Sequence, residues 1–313
     1  MKTMNEIMSI IAQNDYHKNF WDAMKFVPNA AYEVTSALDA IGVSYLPAES
    51  EKKFRDAVSN AGVIRSLATK HKRYDGSSII WAYNSDDYAE FVDDGDTIPG
   101  FDITDDFTKI CVNSYKIASL AKVSTEFATD VAFNVEDYIM NRFAKSYAKT
   151  EDKAFINGTG TGEPTGLLHD TLGAETAVST SSLTYDDCID LFFSVKPEYR
   201  KEAVWLMNDK TALALRKLKD EDGNYLWNGS NDTILGKPVI ISNEMPDIES
   251  EKKPVLFGDL SFYWIIDRSP MSIQAIKELF ATNHQIGYIC SERLDGKLIR
   301  SEAVKVIAIS DEE

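Results

Sequence analysis

The apolar positions of the chain recur at two periods, and the alternation between them predicts a mixed fold. Met4, Ile7, Met8 and Ile11 stand three and four apart, which predicts a short amphipathic helix. Phe20, Trp21, Met24 and Phe26 follow as an apolar cluster with little polar cover. Residues 1–41 therefore read as an arm that packs either on its own domain or on a neighbouring subunit. An extended approach over 42–47 leads to a predicted helix over 48–60, with Phe54, Ala57 and Val58 on its apolar face and Gly62 as its stop. Val63, Ile64 and Leu67 resume the apolar strip.

The pattern changes at residue 69. Residues 78–83 (SSIIWAY within 77–83) read as a strand, an acidic section follows, and a second strand-like run spans 107–120 with Ile110, Val112, Tyr115 and Ile117. A two-stranded excursion of this kind has no core of its own and needs a partner. A helix is predicted over 134–156. Asn134 is its expected N-cap, Glu136 and Asp137 complement the dipole in the first turn, and Tyr138, Ile139, Phe143, Tyr147 and Phe155 fall on one stripe. At ~1.5 Å per residue it is a rod of roughly 35 Å. It runs into the stretch AFINGTGTGEPTGLL, where Asn157 and Gly158 stop it and Gly160, Gly162 and Gly166 follow around Pro164.

A polar connection is expected over 169–182. Beyond it Thr184 and Asn208 cap short helices, and 203–207, 238–242 and 254–257 are short apolar runs that read as buried strands, an α/β pattern. The end is strand-like again at 272–276, 285–290 with 292–294, and 303–309, with a tight turn expected at Leu294-Asp-Gly-Lys-Leu298.

Composition narrows what such a chain does. Its 313 residues are 44% apolar and 27% charged, those of an ordinary globular protein, and no run approaches the ~18 apolar residues of a membrane span. A net charge of −17 argues against tight sequence-specific nucleic-acid binding, and does not exclude an acidic shell that encloses DNA without adhering to it. Cys111, Cys188 and Cys290 are far apart and are expected as buried structural thiols. His17, His71, His169 and His284 have no metal-ligand spacing. Around Asp93, Asp94 and Asp96 the glycine is misplaced for a calcium loop. The glycine stretch has no lysine for a P-loop, a helix precedes it, and the third glycine of a dinucleotide motif is replaced by Glu163 or Thr165. No catalytic residue, cofactor or metal is expected, and the chain reads as a non-enzyme.

Taken in order, these stretches resemble the major capsid proteins of tailed bacteriophages, the Hong Kong 97 fold family. The long helix running into FINGTGTGEPTGLL is similar to that family's hallmark. Gly42-Val-Ser-Tyr-Leu-Pro-Ala-Glu49, Leu215-Arg-Lys-Leu-Lys-Asp220, Gly223-Asn-Tyr-Leu-Trp227, Leu235-Gly-Lys-Pro-Val239, Glu244-Met-Pro246, Gly258-Asp-Leu-Ser261 and Arg293-Leu-Asp-Gly-Lys297 follow in the family's order. The resemblance implies an α+β chain with an N-terminal arm (1–41), a first peripheral segment (42–68) and an extended two-stranded loop (69–107). It further implies a peripheral domain (108–179) with a spine helix (134–156), an α/β axial domain (180–268), peripheral return strands (269–298) and an axial C-terminal strand (299–313). In that frame Asn157, Gly158, Gly160, Gly162, Pro164 and Gly166 form the hallmark loop. Trp81, Tyr83, Asp93, Asp94 and Asp96 are candidates for contact with a neighbouring subunit.

The implied function is self-assembly into hexamers and pentamers of an icosahedral virion capsid, built in the bacterial host cytoplasm around double-stranded DNA. The implied partners are the chain itself, with scaffold, portal and decoration proteins, and no membrane. An encapsulin-type compartment shell is the alternative on the same fold, and a nucleotide-binding enzyme using the glycine stretch is the alternative of another class. Two departures from the family stand out. The arm is short beside the N-terminal scaffolding segment of many members, so a separate scaffold, none, or a processed form are all open. No lysine lies between Arg73 and Thr108 and Ser291 stands where some members place a glutamate, so no autocatalytic cross-link is expected.

Overall fold

The computed structural model describes residues 3–31, 33–34, 44–83, 91–93, 107–129, 135–220, 222–227 and 232–310. Its strands are β1 (Thr69–Lys72), β2 (Ile79–Tyr83), β3 (Phe107–Cys111), β4 (Tyr115–Ser124), β5 (Glu175–Thr180), β6 (Val204–Met207), β7 (Thr233–Ile234), β8 (Lys237–Ile241), β9 (Val255–Gly258), β10 (Tyr263–Asp267), β11 (Ser272–Ile276), β12 (Gln285–Leu298) and β13 (Val304–Ile309). They form a five-stranded sheet in the order β1-β10-β12-β11, with β4 also pairing β12, a six-stranded sheet in the order β5-β13-β9-β6-β8-β7, and the ribbon β2-β3.

The six-stranded sheet is the α/β part. All four residues of β6 (Val204, Trp205, Leu206, Met207) and all four of β9 are buried, because both faces of these central strands are covered. The helices Tyr185–Ser194 and Asp209–Arg216 begin where Thr184 and Asn208 accept from the backbone N–H of Asp187 and Thr211, which satisfies amides the helix itself leaves open. The five-stranded sheet is built on β12. Ile286, Tyr288, Cys290, Glu292 and Leu294 alternate inward along it, under the helix Ala48–Ala61 and the long helix Val135–Asn157. Phe54 and Tyr147 meet edge to face across those two helices at 5.5 Å.

The arm folds back on its own chain. Phe20, Trp21 and Met24 are buried in the same core as Phe54, Phe143 and Tyr147. The polar tips are met as well: Trp21 Nε1 donates to Ser50 Oγ (3.1 Å), Tyr16 Oη to the Tyr45 carbonyl (2.7 Å) and Tyr288 Oη to the Met24 carbonyl (3.1 Å).

Several expectations need correction. The run 107–120 is two strands, since the chain leaves the ribbon after Cys111 and β4 joins β12 in a different sheet. The polar connection 169–182 contains β5, an edge strand parallel to β13. The turn expected at 294–298 does not form. Asp295 and Gly296 continue β12 opposite Ile266 and Ile265, with the buried Asp295 carboxylate accepting from the N–H of Asn113 and of Gly296. A side chain at Gly296 would collide with the Tyr263 hydroxyl at 2.5 Å, so the glycine answers packing, not turning. Cys188 and Cys290 are buried, but Cys111 is exposed, because it faces outward on a ribbon edge with no sheet over it. β5 lies in the six-stranded sheet and β10 in the five-stranded one. Asn134, Asp94 and Asp96 lie outside the described residues, as does the Tyr83 side chain.

Candidate functional site

The long helix ends in a hairpin that turns back onto it. Gly158 N–H closes the last helical turn on the Ala154 carbonyl (2.8 Å). The chain then loops so that Thr159 bridges Thr165, and Gly166 N–H returns to the Gly158 carbonyl (2.9 Å). Leu167 and Leu168 donate to the carbonyls of Phe155 and Ile156 (2.7 and 2.9 Å). The hairpin thus caps carbonyls that the helix cannot satisfy alone. It also joins the two sheets. The Thr165 N–H donates to the Gly296 carbonyl and the Thr165 carbonyl accepts from Tyr263 Oη, while Asn157 Nδ2 donates to the Glu244 carbonyl beside the six-stranded unit.

The four glycines answer two different demands. Gly160 and Gly162 hold positive φ (+74° and +78°), a left-handed backbone that costs glycine little. Gly158 and Gly166 have ordinary φ but no room. A Cβ at Gly158 would stand 2.2 Å from the Pro164 carbonyl oxygen, and one at Gly166 2.4 Å from the Gly158 nitrogen. Three amides of the turn are used within it: Thr159 N–H on the Glu163 carboxylate (3.1 Å), Gly160 N–H on the Pro164 carbonyl (3.2 Å) and Thr161 N–H on the Thr159 hydroxyl (3.4 Å). A carboxylate in the mouth of the loop repels a phosphate, so the geometry disfavours the nucleotide-binding alternative.

Beside the hairpin lies a buried charge cluster that the sequence reading missed. Arg65 grips Glu151 bidentately, Nε to Oε2 at 2.6 Å and Nη2 to Oε1 at 3.0 Å, and also reaches Asp267 at 3.2 Å. Arg55 meets Glu292 (2.5 Å), Asp267 (3.4 Å) and Glu51 (3.7 Å), and Tyr74 Oη donates to Glu51. Arg65, Glu151, Asp267 and Glu292 are all at most 2% exposed. The cluster ties together the helices Ala48–Ala61, Ile64–Leu67 and Val135–Asn157 with β10 and β12. Asp152, next along the long helix, accepts from the N–H of Val63 and Ile64 and so caps the short helix. Burial works against the charge on Asp267, yet Arg55 and Arg65 hold it below the usual carboxylate range. Burial pushes Glu292 up to about 7, with Arg55 opposing the shift. One signal in the sequence pointed here: Glu292 occupies an inward position in the alternation Tyr288, Cys290, Glu292, Leu294.

The ribbon packs one face and presents the other. Ile80 and Ala82 are buried, Ile80 with Val112 and Ile266. Trp81 (59% exposed) and Phe107 (45%) project from the other face. Asp93 is exposed, and Phe91 just before it is entirely so. The structure does not bring these residues together with the glycine hairpin. Among the described residues no cluster of His, Cys, Asp and Glu is arranged to hold a metal ion, and no helix is long and apolar enough to cross a membrane.

Residues 42–309 match the family described as Phage capsid family. The chain belongs to the phage capsid family. Solved structures agree with this. The capsid of a native GTA particle computed with C5 symmetry is 27% identical, with a TM-score of 0.64 over 81% of this chain and 90% of that one. The capsid of the empty GTA particle is 25% identical, with a TM-score of 0.62 over 80% and 90%. A structure from Gordonia phage Cozz shares the fold at 14% identity, with a TM-score of 0.56 over 80% and 87%. No curated protein matches the chain. This phage capsid family member therefore has the mixed helix-and-sheet Hong Kong 97 fold and is a structural, major capsid protein.

Proposed function

We propose that this capsid protein assembles with copies of itself into hexamers and pentamers of an icosahedral phage head. The head encloses double-stranded DNA without reading its sequence, is built in the host cytoplasm, and the chain performs no enzymatic reaction. The observation that carries the reading is the family match running unbroken from residue 42 to residue 309. The net charge of −17 supports an inner surface that does not bind packaged DNA tightly.

In this reading the five-stranded unit with the long helix is the peripheral domain and the six-stranded unit the axial domain. The ribbon is the base of the extended loop, with Trp81, Tyr83, Asp93, Asp94 and Asp96 available to a neighbouring subunit. The hairpin of Asn157, Gly158, Gly160, Gly162, Pro164 and Gly166 fixes the angle between the two domains, because it is bonded to both. Scaffold, portal and decoration proteins are the partners such a head requires.

Electron microscopy of the expressed chain tests this. Closed shells or capsomers are the expected outcome, and nuclease-protected DNA in shells recovered from an infected or induced host identifies a phage head. Shells filled with a single enzyme would instead establish an encapsulin-type compartment. A chain that stays monomeric at every concentration, with and without co-expressed scaffold, overturns the reading.

A further inference from the structure

One guanidinium stands among three carboxylates at the centre of the five-stranded unit. Arg55 lies 2.5 Å from Glu292, 3.4 Å from Asp267 and 3.7 Å from Glu51. The other guanidinium of the cluster, Arg65, is gripped by Glu151 and shared with Asp267. Four carboxylates thus face two guanidiniums, and none of the six side chains is more than 11% exposed. Full ionisation would bury two uncompensated negative charges, at a desolvation cost that side chains escape by keeping a proton.

The geometry selects which carboxyl keeps it. Asp267 meets both guanidiniums, and Glu151 takes two hydrogen bonds from Arg65. Glu51 accepts from Tyr74 Oη (3.2 Å) and lies in the first turn of the helix Ala48–Ala61, where the dipole favours an anion. Glu292 has no such support. Its side chain is fully buried, Arg55 Nη2 approaches Oε2 without the alignment of a hydrogen bond, and neither oxygen has another partner among the described residues. Every element around it brings titratable or charged groups except one. The helix Ala48–Ala61 brings Arg55, the short helix Arg65, the long helix Glu151 and Tyr147, β10 Asp267 and its own strand Cys290, while β4 sets the uncharged Ile117 opposite.

The layer over Glu292 is the part able to move. β12 is locked by backbone pairing to β4 at Glu292 and to β10 from Leu294 onward, whereas the helices 48–61 and 64–67 meet this strand through side chains. We propose that Glu292 is protonated in the closed fold and that release of the proton lifts the helices 48–67 from β12, admitting water to the carboxylate: a proton-operated latch inside the five-stranded unit. Burial pushes the carboxyl up to about 7, with Arg55 opposing the shift and Asp267 and Glu151 adding to it. Below the ordinary value of 4.5 the group is protonated open or closed, and the latch is shut. From there to 7 each pH unit favours the open form about tenfold, and above 7 the closed form is ionised too and the effect levels off. The latch belongs to the single chain and is independent of the shell reading.

The chain's own cysteines read the opening. Cys290 lies under the same helices, beside the Tyr147 hydroxyl; Cys188 is buried in the six-stranded unit and Cys111 is exposed. Labelling of the full chain with a pyridyl disulfide from pH 5 to pH 8, resolved by mass spectrometry, gives the rate at Cys290 relative to Cys111. That ratio is expected to rise roughly fiftyfold over the interval, and Glu292→Gln, which keeps the size without the ionisation, to leave it flat. Cys188 is expected to stay slower than Cys290 throughout, because the opening is local. A flat ratio in the unmodified chain, an equal rise in Glu292→Gln, or equal rates at Cys188 and Cys290 overturns the latch. Infrared difference spectra of the unmodified chain provide a readout that needs no variant: one protonated carboxyl group should disappear between pH 6 and pH 8, and none disappearing overturns the proposal.

Discussion

Replacing Gly158 with alanine introduces one methyl group where the structure has no space. The new Cβ would stand 2.2 Å from the Pro164 carbonyl oxygen and 2.3 Å from that of Ala154. Both are backbone atoms, so no side-chain rotation relieves the overlap. The hairpin must withdraw from the helix end by about 1 Å, at a steric cost of roughly 1–3 kcal/mol. That movement also stretches the Gly166-to-Gly158 and Leu167-to-Phe155 hydrogen bonds, each contributing about 1 kcal/mol net. The expected cost is about 3–5 kcal/mol. Gly162→Ala provides the comparison. Gly162 has φ +78° with nothing within 4 Å, so alanine there meets only the left-handed penalty of roughly 1–2 kcal/mol. Urea unfolding of dissociated subunits, followed by tryptophan fluorescence and far-ultraviolet circular dichroism, measures both. Equal losses for the two variants would refute the distinction between close approach and backbone handedness, and a larger loss at Gly162 would reverse it.

The charge cluster yields further expectations. Glu292 titrates near 7 in the folded chain, above its unfolded value of 4.5, so its protonated form stabilises the fold fully below pH 4.5 and that contribution is lost as pH rises through 7. Glu292→Gln should therefore flatten the decline in stability between pH 5 and 8, by on the order of 1–3 kcal/mol in thermal or urea titrations; an unchanged slope would count against the assignment. Arg65→Met leaves Glu151 buried beside no cation of its own and is expected to cost about 3–5 kcal/mol, with Glu151→Leu added to it recovering most of the loss. Additive losses in that double-mutant cycle would show the pair to be energetically uncoupled. Finally, assembled particles should run as single chains on denaturing gels, since the segment 74–107 holds no lysine; a covalent ladder in reducing gels would contradict this.

The sequence by itself determined the elements whose information is local. The stripe Ile139, Phe143, Tyr147 and Phe155 specified the long helix to within a residue, because a 3.6-residue period has one structural solution. Thr184 and Asn208 marked helix starts because a cap satisfies backbone groups two or three residues away. The ordered series of short motifs carried the family.

Tertiary structure decided what depends on partners distant in sequence. Asp295-Gly296 carries the local signature of a turn, yet β10 on one side and Phe155 packed against Gly296 hold it in a strand. Arg65 looks like a surface cation within an apolar strip until Glu151 and Asp267, 86 and 202 residues away, enclose it. The glycines at 158 and 166 are required by the backbone atoms packed against them, and those at 160 and 162 by a left-handed φ, a difference that the letter G in the sequence does not carry. A side-chain pattern records the period of an element, but the space left at a position and the charge that answers a buried charge are set only when separate elements pack together.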